Sequence, residues 1–165
     1  MRILGIDPGT ATTGFGLIET GTKGCRAVEW GLVETDKELL PEARLEKIFF
    51  ETSKLIRRLS PDLFALEKIF FATNAKTAIA VGQAQGVMLL AASRCKIKVA
   101  TYAPGTIKKM IAGSGRANKK EVASAVRKIL GSKVKSRARG KTHFDNCADA
   151  LAIALTHALK EGEKS

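Results

Sequence analysis

What this 165-residue chain lacks sets aside several classes of protein. No apolar run approaches the roughly 18–20 residues that span a bilayer, so no membrane partner is expected. The apolar segment at residues 3–6 is too short for the hydrophobic region of a signal peptide. Cys25, Cys95 and Cys147 are odd in number and widely spaced. They offer neither a disulfide framework nor zinc-ligand spacing, and they point to reduced thiols in a cytoplasmic protein. No His–Asp–Ser triad stands out. The loop Gly113-Ser114-Gly115-Arg116 lacks the Lys-Ser/Thr ending of a nucleotide phosphate loop.

Acidic residues are also scarce. Lys plus Arg number 28 against 16 Asp plus Glu, a formal net charge of +12. A charge of that size steers a protein toward polyanions such as nucleic acid, the plain alternative being a soluble protein that happens to be basic. Hydrophobic residues make up 45% of the chain, which suits a globular domain with a sizeable core. One domain over 1–161 with a short tail over 162–165 is expected.

The chain is organised around Gly5-Ile6-Asp7-Pro8-Gly9-Thr10. An apolar run stops at a carboxylate, Pro-Gly forces a turn, and apolar residues return at Gly14-Phe15-Gly16-Leu17-Ile18, so two antiparallel strands are expected with Asp7 at the end of the first. Asp7 reads either as an acid held at the mouth of a sheet or as the opener of an Asx turn. A third strand is expected over 25–33 and a helix from Pro41 to the Ser60-Pro61 break. The run Leu63-Phe64-Ala65-Leu66 again ends on an acid, Glu67, and its position after a helix favours parallel pairing beside the first strand.

Ile69, Phe70 and Phe71 follow. For Ile69 a core anchor is the expectation, whereas Phe70 or Phe71 is bulky enough to stack on an exposed base. Asn74 reads as the N-cap of a helix over 75–94 that is rich in small residues. Gly82 and Gly86, four apart, suit close packing on the sheet, self-pairing, or both on opposite faces. A fifth strand is expected over 97–102. Pro104 then starts a helical turn carrying Lys108 and Lys109. The loop with Arg116, and Asn118 capping a helix that begins Lys119-Lys120, suit phosphate contact or plain solvation. Residues 131–141 carry Lys133, Lys135, Arg137, Arg139 and Lys141 and read as a basic loop able to grip phosphates.

A final helix is expected over about 144–160. His143, Asp145, Asn146 and Asp149 stand at its start, and Asp149 shares a face with Asp145 and Asn146. Asp145 has a competing reading as a capping acid. Asp149 sits a turn inside an apolar helix, where an ionised carboxylate needs a partner. Acids converging in so basic a chain are explained by divalent cations. Hard ions such as Mg²⁺ take oxygen ligands, and two of them about 3.5–4 Å apart serve phosphodiester cleavage by stabilising both the attacking and the leaving oxygen.

Taken together, these motifs resemble the RuvC family of Holliday-junction resolvases over essentially the whole chain. The residues that carry the resemblance are Gly5-Ile6-Asp7-Pro8-Gly9 with Thr13-Gly14-Phe15-Gly16, Ala65-Leu66-Glu67-Lys68-Ile69-Phe70, Gly82-Gln83-Ala84-Gln85-Gly86, and Ala148-Asp149-Ala150-Leu151 with Thr156-His157. The resemblance implies an RNase H-like fold: a central five-stranded mixed sheet, its first three strands antiparallel, flanked by helices on both faces. It implies a homodimeric endonuclease that nicks opposed strands of a four-way DNA junction and leaves 5′-phosphate and 3′-hydroxyl ends. The implied cofactor is Mg²⁺, two ions per subunit with Mn²⁺ able to substitute, and the implied ligands are Asp7, Glu67 and Asp149. It further implies Phe70 near the junction point, Lys108 and Lys119 facing DNA, the small-residue helix as dimer interface, and a branch-migration motor of the RuvA/RuvB kind as partner. The family's fourth ligand, Asp or His, falls at Asn146, which brings no charge. Asp145 taking that role, His143 swinging in, and a weakened or inactivated junction-binding site all remain open. A sugar-kinase or actin-like ATPase shares an acidic turn after its first strand but needs a second lobe for which 165 residues leave no room.

Overall fold

The computed structural model describes residues 1–22, 24–36, 38–69, 75–131 and 141–162, with the side chains of 141–146 outside that description. Three strands, β1 (Arg2–Asp7), β2 (Thr12–Gly21) and β3 (Gly24–Glu34), form an antiparallel meander. Helix α1 (Pro41–Leu59) starts on a proline, whose missing N–H costs nothing at that position, and ends where Ser60 turns left-handed. The chain then enters β4 (Leu63–Glu67), helix α2 (Ala75–Arg94) and β5 (Lys98–Tyr102). Helices α3 (Pro104–Ala112), α4 (Lys119–Leu130) and α5 (Lys141–Gly162) complete it.

The sheet order is β3-β2-β1-β4-β5, with β1–β4 and β4–β5 parallel. This is the mixed sheet expected, antiparallel in its first three strands. Successive side chains of a strand point to opposite faces, so the buried strands are apolar on both. Leu4, Ile6, Phe15, Leu17, Phe64 and Leu66 pack against α1 and α2. Ile3, Ile18, Leu63 and Ala65 pack against α3, α4 and α5.

The approach of α5 to the sheet decides where the site lies. A Cβ on Gly5 would fall 2.1 Å from the Ala150 carbonyl oxygen and 2.8 Å from the Ala154 nitrogen. Only a residue without a side chain lets the α5 backbone rest directly on β1.

Three expectations are corrected. Helix α5 begins at Lys141 rather than near residue 144, so Asp145 lies beyond the first turn and its capping reading falls away. Lys141 itself belongs to this helix and not to the basic loop. Ile69 is no core anchor: it is 36% exposed, because the chain leaves the sheet at Glu67.

Candidate active site

Asp7 and Glu67 end two neighbouring parallel strands, one step beyond the Ile6–Leu66 pair. Both are odd-numbered, and the odd residues of β1 and β4 face α5. Helix α5 crosses above them and adds Asp149. Asp7, Glu67 and Asp149 line one cavity of about 290 Å³, together with Pro104, Ile107, Lys108, Lys119, Val122 and Ile153. Acids from the first strand, the fourth strand and the last helix thus meet at one rim of the sheet.

Local contacts hold each acid in place. After Asp7, the Thr13 hydroxyl donates to the Gly9 carbonyl at 2.9 Å, and the Thr35 hydroxyl donates to the Thr10 carbonyl at 2.6 Å. Gly9 serves this turn: a Cβ there would meet the Thr12 carbonyl oxygen at 2.1 Å. The Gln85 side chain of α2 donates to the Glu67 backbone carbonyl at 3.1 Å, and the Lys68 N–H donates to the Tyr102 carbonyl at 2.7 Å. Asn118 and Glu121 form a capping box at the start of α4, which sets the root of Lys119. The Lys119 ammonium lies 3.3 Å from Asp149 Oδ2.

The electrostatics of the cavity are strained. Burial, then the charge of Asp149, then that of Glu67 lift Asp7 to about 7 from an ordinary 3.8, against a lowering by Lys119. Glu67 is raised by burial and by Asp149, while Lys108 and Lys119 lower it. Perturbed carboxylates that face one another in a cleft mark a functional site. In this conformation no group of three or more His, Cys, Asp or Glu among the described residues closes into a ready metal cage. The acids share a cavity lined also by the ammonium groups of Lys108 and Lys119. An oxygen-only, carboxylate-rich donor set is nonetheless the chemistry that hard divalent cations select, so the residues fit Mg²⁺.

Of the basic positions, Lys108 and Lys119 line the cavity, and Lys109, Arg116 and Lys120 are exposed on the elements around it. Phe70, Phe71, Asn74, Lys133, Lys135, Arg137 and Arg139 lie outside the described residues, as do the side chains of His143, Asp145 and Asn146. In α2, Gly82 is half-buried and faces Ile69, whereas Gly86 opens onto empty space. The sequence reading missed Gln85 as the holder of the Glu67 strand end. The quoted Gln83-Ala84-Gln85 run was the available signal. It also missed Pro104, whose position was read only as a helix start.

Comparison with known proteins adds three findings. The family model described as crossover junction endodeoxyribonuclease RuvC matches residues 3–157. The crossover junction endodeoxyribonuclease RuvC of Thermotoga petrophila is 44% identical over 160 residues, covering 97% of this chain and 93% of that protein. Among solved structures, Thermus thermophilus RuvC superposes with a TM-score of 0.84 at 35% identity, covering 99% of this chain and 97% of that one. T. thermophilus RuvC in complex with Holliday junction substrate gives 0.83 at 32% identity, covering 99% and 96%.

Proposed function

The chain belongs to the RuvC family of crossover junction endodeoxyribonucleases, and on that premise we propose that Asp7, Glu67 and Asp149 are the groups with which it cuts DNA. It is an endonuclease of the RNase H-like fold that resolves Holliday junctions in recombination and repair. The reading of an inactive junction binder finds no support in these comparisons. The observation that carries the site assignment is the meeting of three acids, far apart in the chain, around one cavity, where burial and then the Asp149 charge raise Asp7 and Glu67.

In the proposed mechanism, the three carboxylates would hold Mg²⁺, two ions per subunit with Mn²⁺ as a substitute, and Asn146, Asp145 or His143 would complete the set. When bound, such ions supply Lewis-acid activation of a water and stabilisation of the leaving 3′ oxygen. Asp7, raised to about 7, holds a proton part of the time near neutral pH and would have to release it to serve as a cation ligand. Lys119, 3.3 Å from Asp149 Oδ2, would be available to a DNA phosphate once a cation neutralised that carboxylate. Lys108, which lines the cavity from α3, would offer a second ammonium to the phosphate. The apolar floor of Ile107, Val122 and Ile153 keeps the dielectric low, so each charge acts more strongly than in water. Lys109, Arg116 and Lys120 extend the phosphate-binding surface. Phe70, Phe71, Asn74 and the basic residues Lys133, Lys135, Arg137 and Arg139 are assigned to DNA contact on the resemblance.

Paired nicks require two sites. Ile79, Gln83, Gly86 and Leu90 form one stripe on the outer face of α2 at spacings of four, three and four. Ile79 is 64% exposed and Leu90 53%. That stripe supports a symmetric homodimer built through α2, whose two-fold axis matches the junction's. A branch-migration motor as partner and a cytoplasmic location complete the reading. The free thiols Cys25, Cys95 and Cys147 support the latter.

The test is Asp7→Asn. Nicking of a synthetic four-way junction in Mg²⁺ is expected to fall roughly a thousandfold while junction binding survives. Normal cutting by that variant would sink the assignment.

A further inference from the structure

Tyr102 sits where two parts of the site are tied together. Its backbone carbonyl receives the Lys68 N–H at 2.7 Å, which fixes the chain just past Glu67. Its hydroxyl lies 2.6 Å from His157 Nδ1 on α5, and the phenol donates when that nitrogen carries no proton. The Lys160 ammonium stands 5.3 Å from the centre of the same ring. His157 is buried, and its residue number places it two turns along the same face of α5 as Ile153 and Asp149. One residue therefore grips the Glu67 strand end with its backbone and the Asp149 helix with its side chain.

Among the described residues, the rest of the α5 contact with the sheet is largely apolar. It includes Ala148, Leu151, Ala152 and Leu155 in one cluster with Ile3 and Ile18, Leu151 seated against Gly16, and helix backbone lying on Gly5. Such an apolar, alanine-rich surface fixes how near α5 comes. A hydrogen bond is directional, unlike apolar contact, and adds a constraint on where along the sheet the helix rests. We propose that Tyr102 and His157 are positioning residues that set the spacing between Glu67 and Asp149, and with it the affinity of the site for divalent cations. This rests on the metal reading given above.

The experiment is Mn²⁺ titration of the DNA-free protein, followed by calorimetry or electron paramagnetic resonance, alongside thermal unfolding. Tyr102→Phe is expected to weaken Mn²⁺ binding about tenfold, as loss of supporting partners of metal ligands does. His157→Gln keeps an acceptor for the phenol and is expected to retain most of the affinity, whereas His157→Leu loses as much as Tyr102→Phe. The Tyr102→Phe/His157→Leu pair should lose no more than either change alone, because both remove one bond. Wild-type affinity in a folded Tyr102→Phe, or losses that add in the pair, would overturn the proposal. Should Tyr102→Phe fail to fold, His157→Leu against His157→Gln carries the same reading. Asp7→Asn serves as the control: if it leaves Mn²⁺ binding intact, the metal site itself is misassigned, whereas a loss there with none in the Tyr102 and His157 variants refutes the positioning role alone.

Discussion

At one end of the sheet, where β1 and β4 begin, Asp62 Oδ2 accepts a 2.6 Å hydrogen bond from the Arg2 backbone N–H. The Arg2 carbonyl in turn accepts from the Asp62 N–H at 2.8 Å. That carboxylate staples two strands. It also lines a cavity of about 780 Å³ with Arg57, Lys96, Lys98 and Glu161, far larger than the one among the acids. At the other end the same two strands stop at Asp7 and Glu67, whose carboxyls are raised by burial first and then by Asp149, against the lowering by Lys119. Size therefore does not identify the site. Buried acids brought close to one another mark where chemistry is available, whereas Asp62 is spent on a backbone hydrogen bond.

The widest test of that contrast exchanges one acid at each end. Glu67→Gln is expected to reduce four-way junction nicking roughly a thousandfold, while Asp62→Asn leaves it unchanged. Equal effects would erase the distinction between the ends.

A second test reads the strain directly, as stability in the presence of a chelator. Asp7 has its carboxyl raised in the folded protein to about 7 from 3.8. The folded state thus holds a proton that the unfolded chain has released, and stability falls as pH rises between those values. Relative to Asp7→Asn, the metal-free protein is expected to lose up to about 4 kcal/mol between about pH 4 and pH 7. Denaturant melts across that range check it, and a flat difference would refute the strain. Mg²⁺ should restore most of the loss.

Gly5→Ala probes the helix approach that creates the acidic end. The added methyl overlaps the Ala150 carbonyl, so α5 must move. A loss of about 1–3 kcal/mol in thermal or denaturant unfolding is expected, accompanied by weaker Mn²⁺ binding. The smallest effect belongs to the quiet end: Asp62→Ala should cost about 1 kcal/mol of stability and leave Mn²⁺ binding untouched.

Much of this was legible along the chain. Apolar runs of strand length ending on Asp7 and Glu67 placed both acids at strand ends, and the helix before the second run favoured parallel pairing of their strands. Pro41, Pro104 and Asn118 marked the starts of α1, α3 and α4 where the structure has them. Other features were not legible. Ile69 looks like core by composition, yet its exposure depends on where the chain leaves the sheet. The start of α5 at Lys141 was hidden because the preceding basic residues and the early helical residues have similar polarity. Gly82 and Gly86 are alike in sequence, and only the rotation of α2 turns one toward Ile69 and the other outward.

The sequence by itself determined the charge, the order of the elements and the two acids on adjacent strand ends, because strand periodicity and turn chemistry are local. That Asp149 joins them, that Tyr102 reaches His157, and that the site closes over Gly5 were decided only by the tertiary structure. Helical spacing tells which residues of α5 share a face but not which strand that face lies on. That choice is made by close packing between segments from opposite ends of the chain.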